Sequence, residues 1–254
     1  MSFDQLTTKR LASSLLIALC LACKPSPAPA AKPVVAGPQV KATVITLRTT
    51  VQPENKTFER RIVISGDRAR DTGELDTWRL YDLEAKTITF VDDVAKTIRT
   101  ESLATVVARH EAGREKSLPS HYPNVKYSAT QERRTLQGVT AERSLIESGT
   151  YRRELWMGEH PAIPRGLFGM MQASEAPSSP LAPMTRAVDE ALIKAPGFPL
   201  ADRTTVPLGN VTLIVERTVT VIAEQPVAES VLSLPKGYRD LTPKPKPKPA
   251  ANAK

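Results

Sequence analysis

The side chains best suited to chemistry are few and scattered. His110, His121 and His160 are the three histidines of the chain. His110 opens HEAGRE (110–115), which resembles the zinc-protease pattern H-E-x-x-H, but the second ligand position, one helical turn on, holds Arg114. A zinc site needs three or four convergent donors, so His110 reads as a partly buried residue on a helix face. Asp92-Asp93 and Asp189-Glu190 are adjacent carboxylates. Neighbours on a strand point to opposite faces and neighbours on a helix diverge by about 100°, so these pairs read as a hairpin turn and a helix surface. Ser117, Ser120 and His121 sit in a proline-bearing stretch with no paired acid or oxyanion element. No G-x-S-x-G, phosphate loop or G-x-G-x-x-G occurs. The expectation is a non-catalytic protein with no metal and no cofactor.

Both cysteines, Cys20 and Cys23, lie in the opening segment, which leaves the body without disulfides, thiol chemistry or cysteine-ligated metal. Lys9 and Arg10 precede an apolar run from Leu11 to Ala22, followed at once by small residues and proline. Such a run is too short for a permanent membrane span and has the layout of an export signal. The tetrad Cys20-Leu21-Ala22-Cys23 resembles a bacterial lipoprotein site, with Cys23 as the lipidated residue; Ala28-Pro29-Ala30 offers an alternative cleavage after Ala30. A spacer rich in Pro and Ala directly after Cys23 is what a lipid-anchored domain needs to stand off a membrane. The chain is thus expected on the periplasmic face of a bacterial membrane, with a soluble periplasmic protein as the alternative.

These features divide the chain into a signal peptide (1–22), a proline-rich tether (23–39), a domain (40–242) and a Lys-Pro tail (243–254). The tether and the tail PKPKPKPAANAK favour extended, polyproline-like conformations, because proline fixes φ and lacks an N–H. Charge follows the same division. Of 35 basic and 27 acidic residues, eight basic residues and Asp4 lie in the two ends, which leaves 27 basic against 26 acidic in residues 33–243. Nucleic-acid binding is therefore not expected, since it wants Lys and Arg clustered on the fold. The basic tail instead suits anionic envelope polymers.

The body reads as short β-branched segments: 41–51, 56–65, 125–130, 141–148, 151–158 and 211–224. In WRLYDLEAKTITFVDDVAKTIRTE the hexads LEAKTI and DVAKTI repeat at a ten-residue spacing, each a turn followed by a strand start. This pattern predicts an antiparallel meander, with Asp82, Glu84, Asp92 and Asp93 in its turns and Trp78, Leu80, Ile88, Phe90 and Ile98 on a buried face. Helical periodicity appears after Ser102, a candidate N-cap, where Leu103, Val106, Val107 and His110 share a face. It appears again at 163–172, opened by Pro164, and at 186–195, ended by Pro196-Gly197. The fold class is mainly β (α+β). Val- and Ile-rich strands need covering, which helices on the concave face of a strongly curved antiparallel sheet would provide.

Several motifs fall in a recognisable order: the hairpin above, LQGVTAERSLIESGTYRRELWMGE, APGFPLADRTTV and VTVIAEQPVAESVLSLPKGYRDL. Together they resemble exported bacterial domains of unknown function related to the outer-membrane lipoprotein carrier and localisation proteins. The matching positions are Gly138, Trp156, Gly197, Phe198, Pro199, Leu234, Pro235, Gly237 and Tyr238. The resemblance implies an incomplete antiparallel barrel with helices on its concave side and an apolar interior, where the carrier proteins bind acyl chains. It does not bring that activity with it, because turns and packing alone would select these residue types.

The stretch 166–184 places Leu167, Phe168, Met170 and Met171 beside a Pro/Ser segment. These four are the candidate ligand-binding residues, as a flexible lid over an apolar interior; a core plug is the other reading. The leading expectation is a lipid- or lipoprotein-binding envelope module. Its rival is a structural envelope protein with a solidly packed barrel that acts through tethering and protein contacts.

Overall fold

Six consecutive strands form the first half of the sheet in a computed structural model that describes residues 37–73, 77–115, 125–175, 192 and 197–243. They are β1 (Gln39–Gln52), β2 (Lys56–Ser65), β3 (Arg68–Thr72), β4 (Thr77–Asp82), β5 (Thr87–Asp92) and β6 (Thr97–Ser102), paired in chain order. α1 (Leu103–Glu115) follows, and β7 (Lys126–Leu136), β8 (Val139–Ser148) and β9 (Tyr151–Gly158) begin the second half. α2 (Leu167–Ser174) separates β9 from β10 (Phe198–Leu208), and β11 (Val211–Ala228) pairs with β1 from Gln39 opposite Ala228 to Gln52 opposite Ile214. β12 (Arg239–Asp240) adds a short parallel pair to β6. The result is one mostly antiparallel sheet of 12 strands that is not closed into a barrel, with β12 and β7 at its edges. Cys23, the tether up to residue 36, Ser117, Ser120, His121, most of the helix expected at 186–195 with Asp189 and Glu190, and the Lys-Pro tail after Pro243 lie outside the described residues, although Leu192 is helical and buried.

The expected meander is present, and its ten-residue repeat has a local cause. Asp82 Oδ1 accepts from Ala85 N at 2.8 Å, and Asp92 Oδ1 accepts from Ala95 N at 2.7 Å. Lys86 and Lys96 then take the same left-handed conformation, φ 50° and 53°, before Thr87 and Thr97 start the next strand. The first helix also begins where expected, with Ser102 Oγ accepting from Thr105 N at 3.1 Å as an N-cap.

Other features differ from the sequence reading. The meander is buried on both faces: Trp78, Leu80 and Ile98 pack on one, Ile88 and Phe90 on the other. β3, RARDT, carries no β-branched run, yet it is held between β2 and β4. β10 contains Pro199 and Pro207 and still pairs on both sides. α2 starts at Leu167, not near Pro164, because Gly166 takes φ 89° and ends the preceding turn. Val107 of α1 is exposed, while Val106 and His110 are buried.

One face of the sheet carries the main core. Ile45, Ile62, Tyr81, Ile88, Ile146 and Leu155 pack there with Val106 of α1 and four side chains of α2. The other face carries a smaller core beneath the C-terminal segment, where Val231 and Leu232 cover Val63, Trp78 and Leu80. That segment is pinned by polar contacts. Arg70 stacks on Trp78 at 3.8 Å and donates to Val231 O at 3.0 Å, while Tyr238 donates to Asp93 Oδ1 at 2.8 Å.

Candidate functional site

The helix-bearing face also carries a belt of charged side chains in register across neighbouring strands. Asp71 lies opposite Arg79, Arg79 opposite Phe90, and Phe90 opposite Arg99, which makes a single cross-strand row from β3 to β6. A second row runs from Thr49 on β1 to Arg217 on β11 and Asp202 on β10. Directly opposite residues share a face, so the strand pleat aims all of these groups toward the helices.

Two buried arginine–aspartate pairs anchor the belt. Arg60 donates from Nε to Asp71 Oδ1 at 2.6 Å and from Nη2 to Asp71 Oδ2. Arg153 donates to Asp202 from Nε at 3.0 Å and from Nη2 at 2.6 Å. Arg217 Nη1 adds a third donor to Asp202 Oδ2 at 3.2 Å. Burial alone would raise the Asp202 carboxyl, but Arg153 and then Arg217 hold it below the ordinary carboxylate range. Both pairs are bidentate, the geometry that satisfies a buried guanidinium and carboxylate together.

Glu175, at the end of α2, sits between the two pairs. Its Oε1 lies 3.3 Å from Arg60 Nη1. Burial acts to raise its carboxyl, yet Arg60, Arg217, Arg79 and Arg153 together hold it below its ordinary value. Its neighbour Ser174 donates to Met171 O at 2.8 Å and accepts from the Tyr81 hydroxyl at 3.0 Å, which ties the helix end to β4. Burial, with a smaller contribution from Asp71, pushes the Tyr81 phenol up to about 12.

Beside this belt lies a cavity of about 660 Å³ that reaches the strand ends at Gly73, Thr77, Asp92 and Thr97. Arg79, Arg99, Arg217, Glu175 and Phe90 line it, and Leu241 stands at its rim, 47% exposed. The guanidiniums of Arg99 and Arg79 lie 5.1 and 5.9 Å from the centre of the Phe90 ring. The site therefore combines charged donors with the aromatic surfaces of Phe90 and Trp78, an arrangement suited to binding.

The candidate residues read from the sequence fall elsewhere. Leu167, Phe168, Met170 and Met171 are all in α2, at most 6% exposed, and belong to the main core. Phe168 meets Phe198 edge to face at 6.1 Å and also borders a second cavity of about 390 Å³ with His160, Arg165 and Gly197. Gly197 is required there: its φ is +84°, and an added Cβ would lie 2.5 Å from Gly158 O. His160 Nδ1 accepts from Ala162 N at 3.1 Å, His110 is buried in α1, and Asp92 and Asp93 serve the hairpin and Trp78. Among the described residues no three His, Cys, Asp or Glu side chains are grouped as a metal site.

Sequence reading missed Arg60, Asp71, Arg79, Arg153, Glu175, Asp202 and Arg217. A signal was available in FERRIVIS, where Arg60 alternates in phase with Ile62 and Ile64, so a charge occupies a core-facing position.

No family model matches the chain, and no curated protein is significantly similar to it. Two solved structures, of PNGF-II in a C2 and in a P21 space group, are similar at 10% identity with TM-scores of 0.43 and 0.41. Each similarity covers 80% of this chain and 31% or 32% of the other, so this chain spans about a third of the length of the structures it matches.

Proposed function

We propose that the protein is a non-catalytic, exported module of a bacterial envelope that binds an amphipathic ligand, an acyl chain or a lipoprotein. In this reading it is lipid-anchored through Cys23 on the periplasmic face of a membrane, and the Lys-Pro tail meets anionic envelope polymers. Its sheet is an incomplete barrel with α1 and α2 on the concave face. The contacts of α2 support that curvature. A flat sheet would set β4 and β10 about 24 Å apart, whereas Phe168 and Ser174 are only about 9 Å apart along the helix axis. Yet α2 meets both, through Ser174 on Tyr81 and Phe168 on Phe198.

The observation that carries the binding role is the cavity of about 660 Å³ beside the belt, bordered by Phe90 and Leu241. Its volume is that of a small-ligand site. The ligand position moves accordingly: Leu167, Phe168, Met170 and Met171 support α2, and the cavity opens beyond the helix end at Glu175. Native mass spectrometry of protein purified from its own envelope tests this. A co-purifying amphiphile is the expected result, and ligand-free protein under mild release conditions would count against it.

The structural-protein reading keeps one specific support, the tight burial of the four α2 side chains. It requires that no ligand be retained, so the same spectrum separates the two.

A further inference from the structure

We propose that the cavity beside the belt is a site for an organic anion carrying a hydrocarbon chain, and that Glu175 occupies the place of the anion when no ligand is bound. This deepens the binding role proposed above and rests on it. The first argument is the distribution of charge. Arg60, Arg79, Arg99 and Arg217 line the cavity with Asp71, Asp92 and Glu175. Two of these carboxylates are already committed, because Asp71 is taken bidentately by Arg60 and Asp92 Oδ1 accepts from Val94 N and Ala95 N of its own turn.

Among the described residues, the arginines that remain are under-satisfied. Arg79 has no carboxylate within ion-pair distance among the described residues, and its guanidinium stands over the Phe90 ring at 5.9 Å. Arg217 takes its 3.2 Å contact from an oxygen of Asp202 that Arg153 already holds at 2.6 Å. Arg99 Nε is buried without a hydrogen bond; its nearest carboxylate oxygen, Glu101 Oε1, is 3.5 Å away, and the other oxygen of Glu101 holds Arg109 at 2.7 Å. A buried donor left without an acceptor is costly, and an incoming carboxylate or phosphate would supply one.

The second argument concerns Glu175 itself. It reaches Arg60 through one contact of 3.3 Å, and its side chain is 43% exposed although it lies among arginines. With one close contact and the other arginines only at longer range, this carboxylate can be displaced by an anion that reaches several of them directly. The hydrocarbon part of the ligand has its surface in Phe90 and the exposed Leu241 at the rim.

Isothermal titration calorimetry with monomeric dodecyl phosphate, dodecanol and inorganic phosphate tests the proposal, with a thermal melt on every variant. Dodecyl phosphate should bind the wild type at least tenfold more tightly than dodecanol or inorganic phosphate. Arg79→Gln should weaken it about tenfold, and Arg79→Lys should weaken it less. Glu175→Gln should tighten it several-fold, a gain that misfolding cannot produce. Phosphatidate vesicles in a parallel arm separate a membrane-held head group from a free amphiphile: binding of monomer alone assigns the free form, and binding of vesicles alone assigns the head group. Equal affinity for dodecanol and dodecyl phosphate, unaffected by Arg79→Gln, would overturn the anion site and leave the binding role standing. Inorganic phosphate binding as tightly as dodecyl phosphate would overturn the hydrocarbon requirement. No binding of any probe would overturn both.

Discussion

Replacing Asp202 with Asn tests whether the belt is also a structural element. The substitution keeps the size of the side chain and removes its charge. Arg153, whose side chain is 12% exposed, then loses the partner that accepts from both Nε and Nη2. Removing one member of a buried ion pair costs about 3–5 kcal/mol, because the remaining charge stays desolvated. Arg217 is 38% exposed and can turn to water, so its share is small. For a domain of this size the loss corresponds to a melting temperature lower by roughly 10 °C.

The sign with pH follows from the same pair. The folded-state pKa of Asp202 is depressed below the ordinary 3.8, so its stabilisation is present above about pH 4 and is lost as pH falls through the folded value. Urea melts followed by circular dichroism at pH 7 and pH 3 should therefore show a large gap between wild type and Asp202→Asn at pH 7 and a smaller one at pH 3. The double variant Asp202→Asn/Arg153→Met should recover much of the loss, since it removes the stranded guanidinium. A loss under about 1 kcal/mol at pH 7, or a gap that does not narrow in acid, would refute the reasoning.

Tyr81 makes the opposite prediction at high pH. Its phenol is raised to about 12 in the folded state, so its stabilisation is complete below about pH 10 and is lost as pH rises through 12. Tyr81→Phe should melt with a flatter pH dependence between 10 and 12, and parallel curves would contradict the assignment. Cys23→Ser should move the protein from the membrane fraction to the soluble periplasm, since acyl chains contribute about 0.8 kcal/mol per buried CH₂; unchanged fractionation would remove the lipid anchor from the proposal.

The amino-acid sequence by itself determined the local structure. The Asp-x-x-Ala-Lys-Thr repeats specify two turns through carboxylates that accept from backbone N–H groups three residues on, and Ser102 specifies the start of α1 in the same way. Runs such as KATVITLRTTV and KTFERRIVIS specify strands through β-branched side chains. These signals are carried by contacts within a few residues, so they are legible without a fold.

The site was decided by tertiary structure, because its members come from β1–β6, β9–β11 and the end of α2. Asp71 lies in RARDT, a segment with weak strand propensity that becomes β3 only through pairing on both sides. The nearly equal counts of basic and acidic residues in the body also hid the belt: Arg60 with Asp71 and Arg153 with Asp202 cancel in the total but meet only when distant strands align. What the Met-rich segment packs against is illegible in the sequence for the same reason. Apolar composition says that Met170 and Met171 avoid water, and only the packing of α2 against both halves of the sheet decides which neighbours exclude it.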